Sequence, residues 1–269
     1  MAFLRHALLI LFVAIASLPA RGDDVLFIGN SFTFGATAPE VQKNGGVPKL
    51  LAEIAAAKGR QVATSAVTAG GRDWAWHLAQ PATTQALGSK PWTWVVLQDF
   101  STRPTRLGNV EQFIRDGETF SERIAQTSPH AGIVLYETWA RPPGIFYLLR
   151  PNFGPAEMMR ELHESYGRLR DDLAAKNPNR EARVAPVGTA FARDAVKYPG
   201  INLNASDHHH ATAEGYYLAA LVIYETIYRE SAKGAPTSFF HGELVIPDDD
   251  AAKLEEIADE VAGGTVKGN

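Results

Sequence analysis

Short runs of consecutive apolar residues alternate along this chain with longer stretches in which apolar positions recur every three or four residues. Val25-Leu26-Phe27-Ile28 is the first continuous run, as expected of a central strand covered on both faces. Pro48 opens a helix carrying Leu50, Leu51, Ile54 and Ala55, and Gly59 closes it. Residues 61–67 predict a second strand and 73–87 a helix. Trp94-Val95-Val96-Leu97 predicts the third strand, 110–125 the next helix, and 132–136 the fourth strand. A helix over 157–175, a short strand over 182–187 and a last long helix over 212–229 complete the series. That last helix is apolar on nearly every face, which predicts burial against the sheet.

Alternation of strand and helix argues for an α/β fold with a parallel sheet covered on both sides. Active sites in such folds gather at the carboxyl ends of the strands. No internal repeat and no low-complexity linker divides the chain, so residues 23–269 read as a single domain.

With 45% hydrophobic and 21% charged residues, the 269-residue chain has the composition of a globular protein. Its first 22 residues read as a signal peptide. Arg5 and His6 precede an apolar run from Ala7 to Leu18, and Ala20-Arg21-Gly22 supplies small residues for cleavage. A membrane anchor is the rival, but spanning a bilayer takes about 20 apolar residues and this run is shorter. Export to a periplasmic or extracellular space, with no stable membrane anchor, is the expectation. Removing 22 residues from 269 leaves 247. The formal charge moves from −4 to near −6, because that segment holds Arg5 and Arg21 and no acid. No basic cluster exists to neutralise phosphates, which argues against a nucleic-acid partner. Cysteine is absent, so thiol nucleophiles and cysteine-ligated zinc are excluded. Nothing in the pattern fixes an oligomeric state.

Two segments carry candidate chemistry. Directly after the first strand comes Gly29-Asn30-Ser31-Phe32-Thr33-Phe34-Gly35. A serine alcohol is a weak nucleophile without a positioned base, and the plainer role for Ser31 is to cap the following turn. Thr33 occupies the last position of a G-x-S-x-G elbow, so that motif is not present. Far downstream, Asp207-His208-His209-His210 precedes the last long helix. Asp207 and His210 can share one turn, the carboxylate holding the imidazole toward a serine. The three histidines also admit a metal site or a solvated loop. Adjacent loop side chains do not readily converge on one ion, so no metal and no cofactor is expected.

Together these blocks resemble those of the SGNH (GDSL-like) hydrolases. Val25 to Ser31 is similar to the first block of that superfamily, usually Gly-Asp-Ser, and Asp207-x-x-His210 to its last. The variant Gly-Asn-Ser-Phe-Thr looks like a less-characterised branch. The resemblance spans roughly residues 24 to 230. It implies a flavodoxin-like three-layer α/β/α sandwich with five parallel strands, and hydrolysis of esters, often acetyl esters on carbohydrates. It also implies Ser31 as nucleophile, completed by Asp207 and His210, and an oxyanion hole from the N–H groups of Ser31 and Gly71, with Gly70 as the neighbour choice. Paired glycines also make ordinary tight turns. In the third block the family has Gly-x-Asn-Asp, whereas this chain reads Leu97-Gln98-Asp99-Phe100-Ser101. Gln98 is the candidate replacement donor, with Ser101 as the fallback.

Two tryptophans are candidates for substrate contact. Trp74 follows the glycine pair, and Trp139 opens a long proline- and aromatic-rich stretch that reaches Pro155 and suggests a lid. Ordinary packing is the alternative for each. The sequence therefore predicts an exported serine esterase acting on a small-molecule or glycan ester. An acyltransferase, a non-catalytic carbohydrate-binding protein on the same scaffold, and a metal-dependent hydrolase are the rivals.

Overall fold

A computed structural model describes residues 22–263. The chain begins with strand β1 (Asp23–Gly29), helix α1 (Ser31–Phe34), α2 (Pro39–Lys43), α3 (Gly46–Ala57) and β2 (Val62–Thr68). Then come α4 (Trp74–Leu78), α5 (Pro81–Gly88), β3 (Trp94–Leu97), α6 (Val110–Thr127) and β4 (Gly132–Tyr136). The second half holds α7 (Ile145–Leu148), α8 (Pro155–Lys176), β5 (Ala182–Ala185), α9 (Val187–Lys197) and α10 (Ala213–Tyr228). A two-residue antiparallel pair, β6 (Ser238–Phe239) and β7 (Leu244–Val245), leads into α11 (Asp248–Ala262). The expected signal peptide, apart from Gly22, lies outside the described residues.

The five main strands form one parallel sheet in the order β2-β1-β3-β4-β5. That order places the topological switch at β1, where neighbouring crossovers run to opposite sides and open a crevice at the strand ends. Strand periodicity divides the core cleanly. Val25, Phe27, Val96, Val134 and Tyr136 share one apolar cluster with α3, α9, α10 and α11, while Leu26, Ile28, Val95, Leu97, Ile133 and Leu135 share the other with α6 and α8. Burial on both faces explains why these strands read as unbroken apolar runs. The edge strand β2 instead alternates half-buried and exposed positions over Val62–Ser65.

Two sequence expectations change. The helix expected over 73–87 is split into α4 and α5, because Pro81 has no N–H to continue α4 and instead opens α5 as its first residue. The helix over 212–229 is not the last: α11 follows, with Ala251, Leu254, Ile257 and Ala258 buried against α10. Every residue of α10 from Gly215 to Ile227 is buried. Among the described residues no helix is long and apolar enough to cross a membrane.

Candidate active site

Four segments meet at the carboxyl rim of the sheet: the turns after β1, β2 and β4, and the loop before α10. The first is built around Asn30. Its side-chain Oδ1 accepts the Phe32 N–H at 3.2 Å and so caps α1, while Gly35, in the left-handed region at φ 84°, ends that helix after one turn. Ser31 is thereby the first residue of α1, 8% exposed, and its backbone N–H donates to no group among the described residues. Gly29 must lack a side chain, since a Cβ there would lie 2.8 Å from Gln98 Oε1 and would also strike Thr33. The buried His77 ring on α4 approaches the Gly29 carbonyl at 2.9 Å and pins the strand end.

Asn30 also joins this turn to the next one. Its Nδ2 donates to the Arg72 carbonyl at 2.9 Å. The Gly70–Gly71 turn is closed by the Arg72 N–H to Ala69 at 3.2 Å, and Gly71 sits at φ 68°, where glycine is favoured. The Gly71 N–H, like that of Ser31, has no acceptor among the described residues.

The third piece comes from 202–212. The Asn204–Ala211 bridge closes the loop, and His208 takes the left-handed region at φ 54°, which turns the chain back toward Asp207. Asp207 Oδ1 accepts the N–H groups of His209 and His210 at 3.0 and 2.9 Å, and its Oδ2 lies 2.6 Å from His210 Nδ1. Burial alone would raise the Asp207 carboxyl. The hydrogen bonds from the His210 ring and from the two N–H groups outweigh it and hold the group down at about 2. The carboxylate thus fixes the tautomer with Nδ1 protonated, and Nε2 has no hydrogen-bond partner among the described residues. The His210 ring stands edge-on to Phe32, the residue after Ser31, with ring centroids 5.7 Å apart.

The three histidines do not converge. His208 is exposed, His210 pairs with Asp207, and His209 packs its ring on Phe32 and Phe100. Burial first, then the Arg141 charge and the neighbouring His210 ring, push the His209 imidazole down to about 4. Among the described residues no cluster of three or more histidine, aspartate or glutamate side chains is arranged to hold a metal ion.

Three expected site residues are placed elsewhere. Gln98 is 1% exposed, and its Oε1 accepts the Asn30 N–H at 2.9 Å and the Thr33 hydroxyl at 3.0 Å, while its amide nitrogen donates to the Asp99 carbonyl. The Asn30 N–H can only donate, which identifies that atom as the oxygen, so Gln98 braces the turn after β1 against the end of β3 with one of its two Nε2 hydrogens committed to Asp99. Trp74 is fully buried and stacks on Phe113 at 4.9 Å, so it serves the core between α4 and α6. Trp139 is 1% exposed and stacked between Phe32 at 4.0 Å and Phe191 at 4.3 Å. Neither tryptophan presents a face to a ligand. Ser101, the other third-block candidate, is buried, and its hydroxyl has no partner among the described residues. Sequence reasoning missed Asn30 and His77 as positioning residues. The Asp73-Trp74-Ala75-Trp76-His77 segment directly after the glycine pair was the available clue to His77.

The sequence matches no family model, and no curated protein resembles it significantly. Solved structures do. A candidate SGNH hydrolase from Slackia heliotrinireducens is 26% identical over 77% of this chain and 100% of its own, with a TM-score of 0.59. A DUF4886 family protein from Bacteroides uniformis covers 89% of this chain and 94% of its own at 15% identity, with a TM-score of 0.67. A family 3 carbohydrate esterase from Clostridium thermocellum shares the fold at 10% identity over 76% of this chain and 94% of its own, with a TM-score of 0.56.

Proposed function

We propose that this chain, an SGNH-type hydrolase, is an exported serine esterase in which Ser31, His210 and Asp207 form the catalytic triad. The observation that carries the reading is the Asp207–His210 pair. One carboxylate accepts the imidazole Nδ1–H at 2.6 Å and two backbone N–H groups besides, and the ring so held stands edge-on to Phe32, the residue after Ser31.

In the first step His210 Nε2 takes the Ser31 hydroxyl proton as Oγ attacks the ester carbonyl carbon. Asp207 offsets the positive charge that appears on the ring. The carbonyl oxygen becomes an oxyanion and is met by the N–H groups of Ser31 and Gly71, both otherwise without acceptors. As the carbonyl re-forms, the C–O bond to the alcohol breaks and the imidazolium returns the proton to the leaving oxygen. Water then repeats the sequence on the acyl-enzyme, releasing the acid and restoring Ser31. Gln98 braces the scaffold through its oxygen, and in this reading the hole is built from backbone donors.

Carbohydrate esters, acetyl esters among them, are one substrate class in this reading, which rests on the resemblance of the Ser31 and Asp207–His210 blocks to those of the SGNH hydrolases. Export rests on the sequence of the first 22 residues. The deciding experiment treats the purified protein with a fluorophosphonate probe and maps the adduct by mass spectrometry, with Ser31→Ala as control. Labelling confined to Ser31 supports the triad, and an unlabelled, folded protein overturns it.

A further inference from the structure

Among the described residues, the arginines Arg106, Arg160, Arg168 and Arg183 each reach a carboxylate. Arg141 does not. It lies in the turn after β4, two residues beyond Trp139, whose indole N–H donates to the His209 carbonyl at 3.1 Å and ties this turn to the histidine loop. The Arg141 guanidinium makes no ion pair and donates no hydrogen bond, and its Nε is buried without a partner. Its carbon sits 4.2 Å from the Phe146 ring centroid, and Arg150 lies at the same distance from that ring. His209 Nδ1, within electrostatic reach of Arg141, is likewise buried and unpartnered.

Buried polar groups are nearly always paired, so two unsatisfied nitrogens in one corner need an explanation. A partly buried cation beside a second cation is also unfavourable; burial first, then Arg150, holds the Arg141 guanidinium below its ordinary range. Asp207 attracts it but is already committed to His210 and two N–H groups. An incoming anion would supply the missing acceptor and the missing charge at once. The planar guanidinium fork matches a carboxylate in particular.

We propose that Arg141 is a specificity-determining residue whose guanidinium receives a carboxylate carried by the ester substrate, beside the Asp207–His210 pair. The substrate class is then anionic esters. This inference rests on the serine-esterase reading.

The test compares hydrolysis of 4-acetoxybenzoate with that of its uncharged methyl ester, by wild type, Arg141→Met and Arg141→Lys. The expected result is that the anionic-to-neutral ratio of kcat/KM falls about 10- to 100-fold in Arg141→Met, through KM, and is partly restored in Arg141→Lys. Equal losses on both esters, an unchanged ratio, or a wild type that cleaves only the neutral ester would each overturn the proposal. Labelling of Ser31 by an uncharged fluorophosphonate certifies that each variant is folded. If wild type itself is neither labelled nor active on the neutral ester, the esterase reading has failed instead.

Discussion

The side-chain amide of Asn30 donates to the backbone carbonyl of Arg72 at 2.9 Å while its own oxygen accepts the Phe32 N–H. One side chain therefore sets the distance between the two turns that hold the Ser31 and Gly71 N–H groups. Only a residue that both accepts and donates can do this. The aspartate usual at this place in SGNH hydrolases accepts only, when ionised.

Replacing Asn30 by Asp keeps the helix cap but turns a carboxylate toward the Arg72 carbonyl. We expect a loss of about 1–3 kcal/mol in stability by chemical denaturation. Displacement of the Gly71 N–H should slow fluorophosphonate labelling of Ser31 by up to about 10²-fold. Labelling of Asn30→Asp at the wild-type rate would show that the two turns are not coupled through this residue.

In the proposed triad His210 is the base, and on that reading His210→Ala should lower kcat by at least about 10²–10⁴. Asp207→Asn leaves an amide that cannot hold the same tautomer, and a loss on the order of 10⁴ is expected. With the Asp207 carboxyl held at about 2, below its ordinary 3.8, its pairing with His210 is intact above about pH 4 and is lost as pH falls through 2. Asp207 therefore contributes no inflection to a kcat profile recorded above about pH 4. A folded His210→Ala protein with near-normal turnover would remove His210 from the mechanism.

Gln98→Leu separates a brace from a catalyst. Loss of the Gln98 oxygen strands the buried Asn30 N–H and Thr33 hydroxyl, so stability should fall by about 1–3 kcal/mol. An oxyanion donor would behave oppositely, with kcat lost and the denaturation midpoint unmoved. Measuring both on the same preparation distinguishes the roles.

The parts of this molecule that repeat along the chain were legible. Strands β3 and β4 lie at the predicted residues, because sheet burial on both faces writes itself as an apolar run. The Asp207–His210 pairing was legible because a three-residue spacing fits one turn. Helix α11 was overlooked even though Leu254, Ile257 and Ala258 carry its buried stripe. What the sequence did not carry was the orientation of single side chains. Trp74 and Trp139 follow strand ends, where aromatic residues fit a binding wall and a core equally well. Their burial is decided by distant partners, Phe113 for one and Phe32 and Phe191 for the other. The direction of the Gln98 amide is likewise set by the Asn30 N–H and the Thr33 hydroxyl, 68 and 65 residues earlier.

Asp99, at the end of β3, gives a last prediction. It is fully buried, with Oδ1 accepting the Trp74 and Phe100 N–H groups at 2.8 Å each and Oδ2 without a partner. Burial, opposed only in part by those two N–H groups and by Arg103, pushes the carboxyl up to about 7. Between its ordinary 3.8 and 7 the unfolded chain has released this proton and the folded protein has kept it. The unfolded state therefore binds fewer protons, and stability must fall as pH rises through that window, by at most about 1.4 kcal/mol per pH unit. Asn at this position keeps an oxygen for both N–H groups and has no proton to lose. Denaturation of wild type and Asp99→Asn at about pH 5 and about pH 8 isolates the effect, because other raised carboxyls such as Glu225 are common to both proteins. The variant should gain stability relative to wild type at the higher pH. Parallel pH dependence in the two proteins would mean that Asp99 is ionised in the folded state throughout.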